Sequence, residues 1–253
     1  MSKFDPVPAI DDITEFIKGF FESSGGKTAV VGLSGGKDST IVAALCAKAL
    51  GKENVIGVIL PDYGMKDLYT AELVAGQYCG GSYLYDIGDL AFDIMNGSND
   101  LPYTTAQAAV NLPARLRMVV LYYVAQCHEH GRVANTCNAS ENYVGYSTWY
   151  GDCAGDFSPL HDFTVQEVKA IGRCLGVPEE LVEKVPDDGL CGRTDEDNLG
   201  FTYEVLDRYI RYGECEDEAV KDLIEDMHKR NLFKCLPIPY AANRFVSNGS
   251  YLE

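Results

Sequence analysis

The chain has 253 residues, with 21 Lys and Arg against 38 Asp and Glu, a formal charge of −17. At 46% hydrophobic and 23% charged residues it sits near the globular average, which excludes a disordered tail, a collagen-like repeat and a membrane bundle. The acid surplus argues against broad capture of nucleic acid, which needs Lys and Arg to displace counterions. Met1-Ser-Lys-Phe-Asp-Pro6 carries no basic segment followed by an apolar one, so no secretory signal and a cytoplasmic protein are expected. The longest uncharged apolar stretch, Met118 to Cys127, is about half of the ~20 residues that span a bilayer, and no membrane partner is expected. The nine cysteines include no Cys-x-x-Cys pair and no Cys/His ligand spacing, which removes zinc-finger and dithiol readings and leaves most of them as small buried hydrophobes.

In chain order, Ile10, Ile13, Phe16, Ile17, Phe20 and Phe21 recur at helical spacing up to Gly25-Gly26, which predicts an amphipathic first helix. Thr28 to Leu33 is a short apolar, β-branched run that predicts a strand buried on both faces. A helix is predicted from about Ser39 to Leu50, a strand over Val55 to Leu60, a helix over Asp67 to Tyr78 and a third strand over Ser82 to Asp86. Strands alternating with helices at this spacing predict an α/β fold with a parallel sheet. A long helix from about Leu112 to His130 and a strand over Arg132 to Thr136 repeat the pattern. Asp187 to Gly200 follows neither period and is expected to be a mobile loop. Two helices, near Tyr203 to Arg211 and Glu216 to Lys229, and a Pro-containing tail close the chain. No repeat or Pro/Ser-rich linker divides it, so a single domain over residues 1–253 is the expectation.

The segment with chemistry in it is Gly32-Leu33-Ser34-Gly35-Gly36-Lys37-Asp38-Ser39, between a predicted strand and a predicted helix. Such a turn offers backbone N–H groups without intrahelical partners at the positive end of a helix dipole. Gly35 and Gly36 let a phosphate approach, Ser34 and Ser39 add hydroxyls, and Lys37 adds a cation. Asp38, a carboxylate in a phosphate nest, makes sense if it holds Mg²⁺ on the phosphates. A Walker A loop is excluded because position 31 is Val31 and Lys37 precedes Asp38, and the G-x-G-x-x-G fingerprint is absent from this turn.

Ser34-Gly-Gly-Lys-Asp-Ser39 resembles the SGGxDS loop of the N-type ATP pyrophosphatases, which split ATP between its α- and β-phosphates and adenylate a substrate. Over nearly the whole length the chain is similar to the NAD synthetase family within that group. Asn111-Leu-Pro-Ala-Arg-Leu-Arg-Met118 resembles its N-x-x-A-R-x-R-M helix. Thr136-Cys-Asn-Ala-Ser-Glu141, Gly145-Tyr-Ser-Thr148 and Gly151-Asp152 resemble its T-x-N-x-S-E, G-Y-x-T and G-D run, and Lys184-Val-Pro with Thr194 to Tyr203 resembles the borders of its mobile loop.

The resemblance implies a Rossmann-like three-layer αβα fold around a parallel sheet, of the adenine nucleotide alpha hydrolase type. It implies ATP held by Gly32 to Ser39, Thr136, Lys184 and Asp187, and Mg²⁺ on Asp38 and Glu141. Arg115, Thr148, Asp152, Asp156 and Lys234 would line a deamido-NAD pocket, with Asp38 and Asp152 as the catalytic carboxylates. It further implies amidation of deamido-NAD by free ammonia, and a homodimer with the Leu112 to His130 helix at its interface. The chain departs from the family at Trp149 and Val165, where lysines are usual, and at Asp187, where Ser or Thr is usual. Phe233-Lys234 best matches the family's C-terminal His-Lys, with His228-Lys229-Arg230 as the rival. Another ATP pyrophosphatase, such as a tRNA-modifying ligase, and a nucleotide sensor without turnover stand as the alternatives; the negative charge opposes the first and the retained carboxylate pair the second.

Overall fold

A computed structural model describes residues 4–63, 67–97, 104–184 and 194–239. Helix α1 (Pro6–Ser24) starts where the Asp5 carboxylate accepts from the Val7 N–H, and ends at Gly25 in the left-handed region. Strand β1 (Thr28–Gly32) leads into α2 (Lys37–Leu50), β2 (Val55–Ile59) into α3 (Leu68–Tyr78), and β3 (Gly81–Leu84) into α4 (Gly88–Asn96) and α5 (Ala106–Cys127). Strand β4 (Gly131–Ala134) then opens a helical second half: α6 (Ala139–Val144), α7 (Val165–Cys174), α8 (Glu179–Val182), α9 (Asp195–Leu199), α10 (Tyr203–Tyr212) and α11 (Glu218–Asn231).

The four strands lie in the order β3-β2-β1-β4, all parallel. Their side chains alternate between two layers, as the period of a strand requires. Ala29 and Val31 of β1 and Val55 and Ile59 of β2 pack under α1, α2, α3 and α7, together with Ile17, Ile41, Leu45 and Ile171. Val30, Ile56, Val58 and Val133 face the other way, onto Ala91 of α4 and Leu116, Val124 and Ala125 of α5. Each Val, Leu and Ile among them adds about 1.5–3 kcal/mol when fully buried. A third cluster joins Val144, Val165, Leu199, Leu206 and Ile224 and fixes the second-half helices around α6.

The order of the strands places the site. From β1 the chain runs outward through β2 to β3, then crosses to the opposite side of β1 to lay down β4. Between the carboxyl ends of β1 and β4 the connections diverge, and in open α/β sheets that divergence leaves a crevice where ligands bind.

The predicted αβα architecture and the four predicted strands agree with these elements. The long helix begins at Ala106, six residues before the predicted start at Leu112, and runs through Pro113. A proline normally ends a helical reading because it lacks an N–H and crowds the preceding turn. Here the Thr105 hydroxyl caps the first turn by accepting from the Ala108 N–H, and Pro113 is buried. The Asp187 to Gly200 expectation is corrected in its second half: Thr194 and Asp197 form a capping box, Gly200 closes α9 in the left-handed region, and five residues are helical between them. Residues 187–193, including the candidate Asp187, lie outside the described residues.

Candidate functional site

The β1–α2 turn is held open by its own small side chains. Gly35 takes φ +75°, a conformation that favours glycine, and a Cβ there would lie 2.8 Å from the Asp67 carbonyl oxygen. The Ser34 hydroxyl accepts from the Gly36 N–H at 3.2 Å and lies 3.2 Å from the Ser39 hydroxyl, whose oxygen also accepts from the Ser34 N–H at 3.3 Å. The Thr40 hydroxyl donates to the Gly36 carbonyl at 2.8 Å. These bonds shape the loop without closing the helix end: α2 begins at Gly36 with no side-chain cap. Its first-turn N–H groups therefore have no intrahelical acceptor and present the positive end of the dipole to the crevice.

Across the crevice the β4–α6 connection is built oppositely. Asn138 accepts from the Ser140 and Glu141 N–H groups, and the Glu141 carboxylate accepts from the Asn138 N–H at 3.1 Å. This capping box closes the start of α6 and fixes Glu141 toward Asp38, which the Asn138 amide also reaches at 3.4 Å. Asn135 ties the rest together: its amide donates to the carbonyls of Asp152 and Ala154, and its oxygen accepts from the Cys137 N–H and the Ser158 hydroxyl.

Charge is concentrated between the two turns. Lys37 is 3% exposed, and its ammonium lies 2.8 Å from the Asp38 carboxylate. Burial pulls the Lys37 ammonium down, but Asp38 and Glu141 together outweigh it and the net shift is upward. Burial first, and then the Asp38 charge, pushes the Glu141 carboxyl up to about 8. Asp195 at the start of α9 adds a third carboxylate to the same field, within reach of the Tyr203 hydroxyl at 3.3 Å. The cluster therefore carries more negative than positive charge in a desolvated setting, which raises the pKa of an acid until a cation is supplied.

A cleft of about 900 Å³ runs along these turns. Gly32, Leu33, Ser34, Gly36, Asp38 and Ser39 line one wall, and Thr136, Glu141, Thr148, Asp152 and Lys234 the other. Thr148 is set by its neighbours, its hydroxyl donating to Asn111 at 3.0 Å and its N–H to the Asp152 carboxylate at 3.1 Å. The Lys234 ammonium donates to the carbonyls of Gly145 and Ser147, so the last described turn ties down the strip that carries Thr148 and Asp152. Lys184 stands behind the loop, donating to the Gly35 carbonyl at 2.9 Å.

Two expected pocket residues are placed elsewhere. Arg115 is exposed, lies outside the cleft lining, and its Nε donates to the Trp149 carbonyl at 3.4 Å. The cleft face of α5 is instead Ala114, Arg117, Met118 and Leu121, which share one helical side at i, i+3, i+4 and i+7. Arg117 is held there by Asp62 at 2.6 Å and by the Leu60 carbonyl. Asp156 accepts from the Val133 N–H at 2.8 Å and lines a separate hollow of about 330 Å³.

Asn135 and Asp195 were not singled out in the sequence. Asp195 lay within the Thr194 to Tyr203 stretch that resembles the family's loop border, but it was given no role there. The two family departures inside the described residues take different places. Val165 is 3% exposed and packs in the cluster around α6, so a lysine there would place its stem in a core. Trp149 stacks on Tyr150 at 4.5 Å and meets Phe233 edge-on at 4.9 Å.

An open helix N-terminus that carries Asp38 and faces Glu141 across the switch point of a parallel sheet defines an α/β protein with a phosphate-binding turn at its crevice. The NAD synthase family model matches residues 9–235, and the chain belongs to that family. It is 41% identical to the NH(3)-dependent NAD(+) synthetase of Methanocaldococcus jannaschii over 80% of this chain and 79% of that one. It is 37% identical to the corresponding enzyme of Finegoldia magna over 88% and 93%. Among solved structures, the NMN synthetase of Francisella tularensis superposes with a TM-score of 0.87 at 29% identity, covering 94% of this chain and 99% of that one. The NH3-dependent NAD synthetase of Campylobacter jejuni superposes with a TM-score of 0.76 at 26% identity, covering 95% and 100%.

Proposed function

We propose that the chain is an ATP-dependent carbon–nitrogen ligase that amidates deamido-NAD to NAD with ammonia, releasing AMP and pyrophosphate. The observation that carries the reading is the uncapped start of α2, with Asp38 in its first turn and Glu141 facing it across the cleft, in a chain about 40% identical to ammonia-dependent NAD synthetases. The loop from Gly32 to Ser39 receives the triphosphate, with Thr136 on the opposite wall and Lys184 behind the Gly35 carbonyl.

Asp38 and Glu141 fit Mg²⁺. They are two carboxylates in a field short of positive charge, and among the described residues no cluster of three or more His, Cys, Asp or Glu forms a complete protein cage. Mg²⁺ is commonly held by one or two carboxylates plus substrate phosphates, which matches this donor set. When bound, it would neutralise phosphate charge as the bond to pyrophosphate breaks.

The nicotinate carboxylate attacks the α-phosphorus, pyrophosphate leaves toward the N–H groups of α2, and ammonia then attacks the acyl carbon and displaces AMP. The protein offers no nucleophile; it positions the reactants and stabilises charge. Asp152, whose carboxylate is oriented by the Thr148 N–H, stands on the acceptor side of the cleft and takes the proton released from nitrogen.

The homodimer belongs to the same proposal. Val119 and Tyr123, one turn apart on α5, are at least 57% exposed, apolar side chains of the kind that a partner covers. Among the described residues no helix is long and apolar enough to cross a membrane. The eight described cysteines have free thiols, the state kept in the reducing cytoplasm, where we place the protein.

A second substrate follows from the Francisella structure, whose superposition is the tighter of the two described. Nicotinate mononucleotide carries the same reacting carboxylate without the adenylate half. The test is pyrophosphate release from Mg-ATP and ammonium with deamido-NAD and with nicotinate mononucleotide in parallel, products identified by mass. NAD formed with pyrophosphate is the expected result. Amidation of the mononucleotide alone would move the substrate to the second reading, and ATP binding without any product would leave the sensor reading standing.

A further inference from the structure

We propose that Asp67 is a positioning residue for the phosphate-binding loop: its carboxylate holds the Lys184 ammonium against the Gly35 carbonyl, so that the cation already stands behind the loop when a triphosphate enters. The inference rests on the ATP-binding reading of that loop.

Asp67 occupies the N-cap position of α3, where an aspartate ordinarily turns its side chain onto the first N–H groups of its own helix. It makes no such bond. Its Oδ2 instead lies 2.7 Å from the Lys184 ammonium, which at the same time donates to the Gly35 carbonyl at 2.9 Å. The backbone meets the loop at the same point. A Cβ on Gly35 would lie 2.8 Å from the Asp67 carbonyl oxygen and 3.2 Å from the Ala71 nitrogen, so the start of α3 is seated directly against the left-handed turn of the loop. Asp67 also lines the cleft, whereas the lysine approaches from behind.

Stability alone does not account for the arrangement. Both side chains are partly exposed, 27% for Lys184 and 40% for Asp67, and ion pairs at that exposure contribute little to folding. What the pair supplies is order. A lysine has four rotatable bonds, and fixing its ammonium at the loop before substrate arrives removes an entropic cost from binding. An ammonium has three donors, of which Gly35 and Asp67 engage two among the described residues, and the third is the one offered to an incoming phosphate. The second anchor of the strap is independent of α3: Glu183, next to Lys184, is paired with Arg173 and with Lys169 of α7.

The test is the affinity of the full-length protein for Mg²⁺ with α,β-methylene-ATP, an analogue that cannot be cleaved at the reacting bond, measured by calorimetry for the wild type, Asp67→Asn, Lys184→Ala and the double variant. Asp67→Asn is expected to weaken binding about fivefold and Lys184→Ala about tenfold, with the double variant no weaker than Lys184→Ala alone, since residues that act through one another are not additive. Asp67→Glu is expected to recover most of the loss. Additive losses would overturn the proposal, because a role of Asp67 in seating α3 survives removal of the lysine. Tighter binding by Asp67→Asn would also overturn it, by making the carboxylate a competitor of phosphate. Absence of analogue binding by the wild type would overturn the ATP reading itself.

Discussion

The two turns on either side of the switch point are topologically equivalent, each joining a parallel strand to a helix, yet they are finished in opposite ways. After β1 the helix starts at a glycine with no cap, and its N–H groups stay available. After β4 the helix start is closed by Asn138 and Glu141, which satisfy it and leave a fixed carboxylate facing the cleft. One turn therefore offers N–H groups to an anion, and the other brings Glu141 to Asp38 for a cation. A triphosphate with its metal needs both within a few ångströms, and the parallel sheet supplies that spacing by placing β1 beside β4. The difference lies in the side chains at the caps and in the left-handed Gly35, which has no counterpart before Asn138.

The comparison breaks most completely at Asp38. Asp38→Ala is expected to lower pyrophosphate release about 10²–10³-fold, the scale of losing one charge-stabilising group, while the melting temperature changes little. Full activity in that variant would remove Asp38 from the chemistry, and release that persists after chelation of Mg²⁺ would remove the metal. Next comes the open turn itself. Gly35→Ala places a Cβ 2.8 Å from a carbonyl at φ +75°, and strain of this kind costs about 1–3 kcal/mol; nucleotide affinity is expected to fall with stability. Wild-type affinity in Gly35→Ala would mean that the loop shape is not what receives phosphate.

The closed turn responds more mildly. Asn138→Ala removes a cap, an effect of about 1 kcal/mol, seen as a melting temperature lower by about 3 °C for a chain of this size. Because the same substitution frees Glu141, metal affinity is expected to fall along with it.

The smallest effect is at the support of Lys184. The hydrogen bond from Lys169 holds the Glu183 carboxyl below its ordinary value; burial pushes the other way, and the charges of Lys169 and Arg173 keep the net shift downward. A depressed acid stabilises the fold above its unfolded pKa and loses that contribution as pH falls through the folded one. Glu183→Gln is therefore expected to cost at most about 0.5 kcal/mol at pH 7, after allowance for solvent screening. The cost should vanish as pH falls below the ordinary glutamate range. A deficit that is independent of pH would mean that shape rather than charge holds this corner.

Some of the site was legible because its signal is local. The run from Gly32 to Ser39 is contiguous, so its glycines, hydroxyls and carboxylate could be read as one anion turn, and Glu141 stood in the equally contiguous Thr136 to Glu141 run that resembles the family's. Arg115 was not legible in this way. It differs from Arg117 by two residues, which on a helix is a rotation of about 200°, and the face that meets the cleft is decided by how α5 lies on β1 and β4. Asp67 and Lys184 are 117 residues apart by number, and no local pattern links them. Asn135 reads as one residue of the predicted strand Arg132 to Thr136 until the chain from Asp152 to Ser158 folds back onto it.

By itself the sequence determined the alternation of strands and helices, the open phosphate turn and the family, because each depends on side-chain periodicity or on adjacent residues. Only the tertiary structure decided that the anion turn and the carboxylate turn face each other, that Lys37 is spent on Asp38 while Lys184 stands at the loop, and that Arg117 rather than Arg115 lines the cleft. Those outcomes depend on strand order and helix rotation, which are set by the packing of the whole core and are not encoded at any single position.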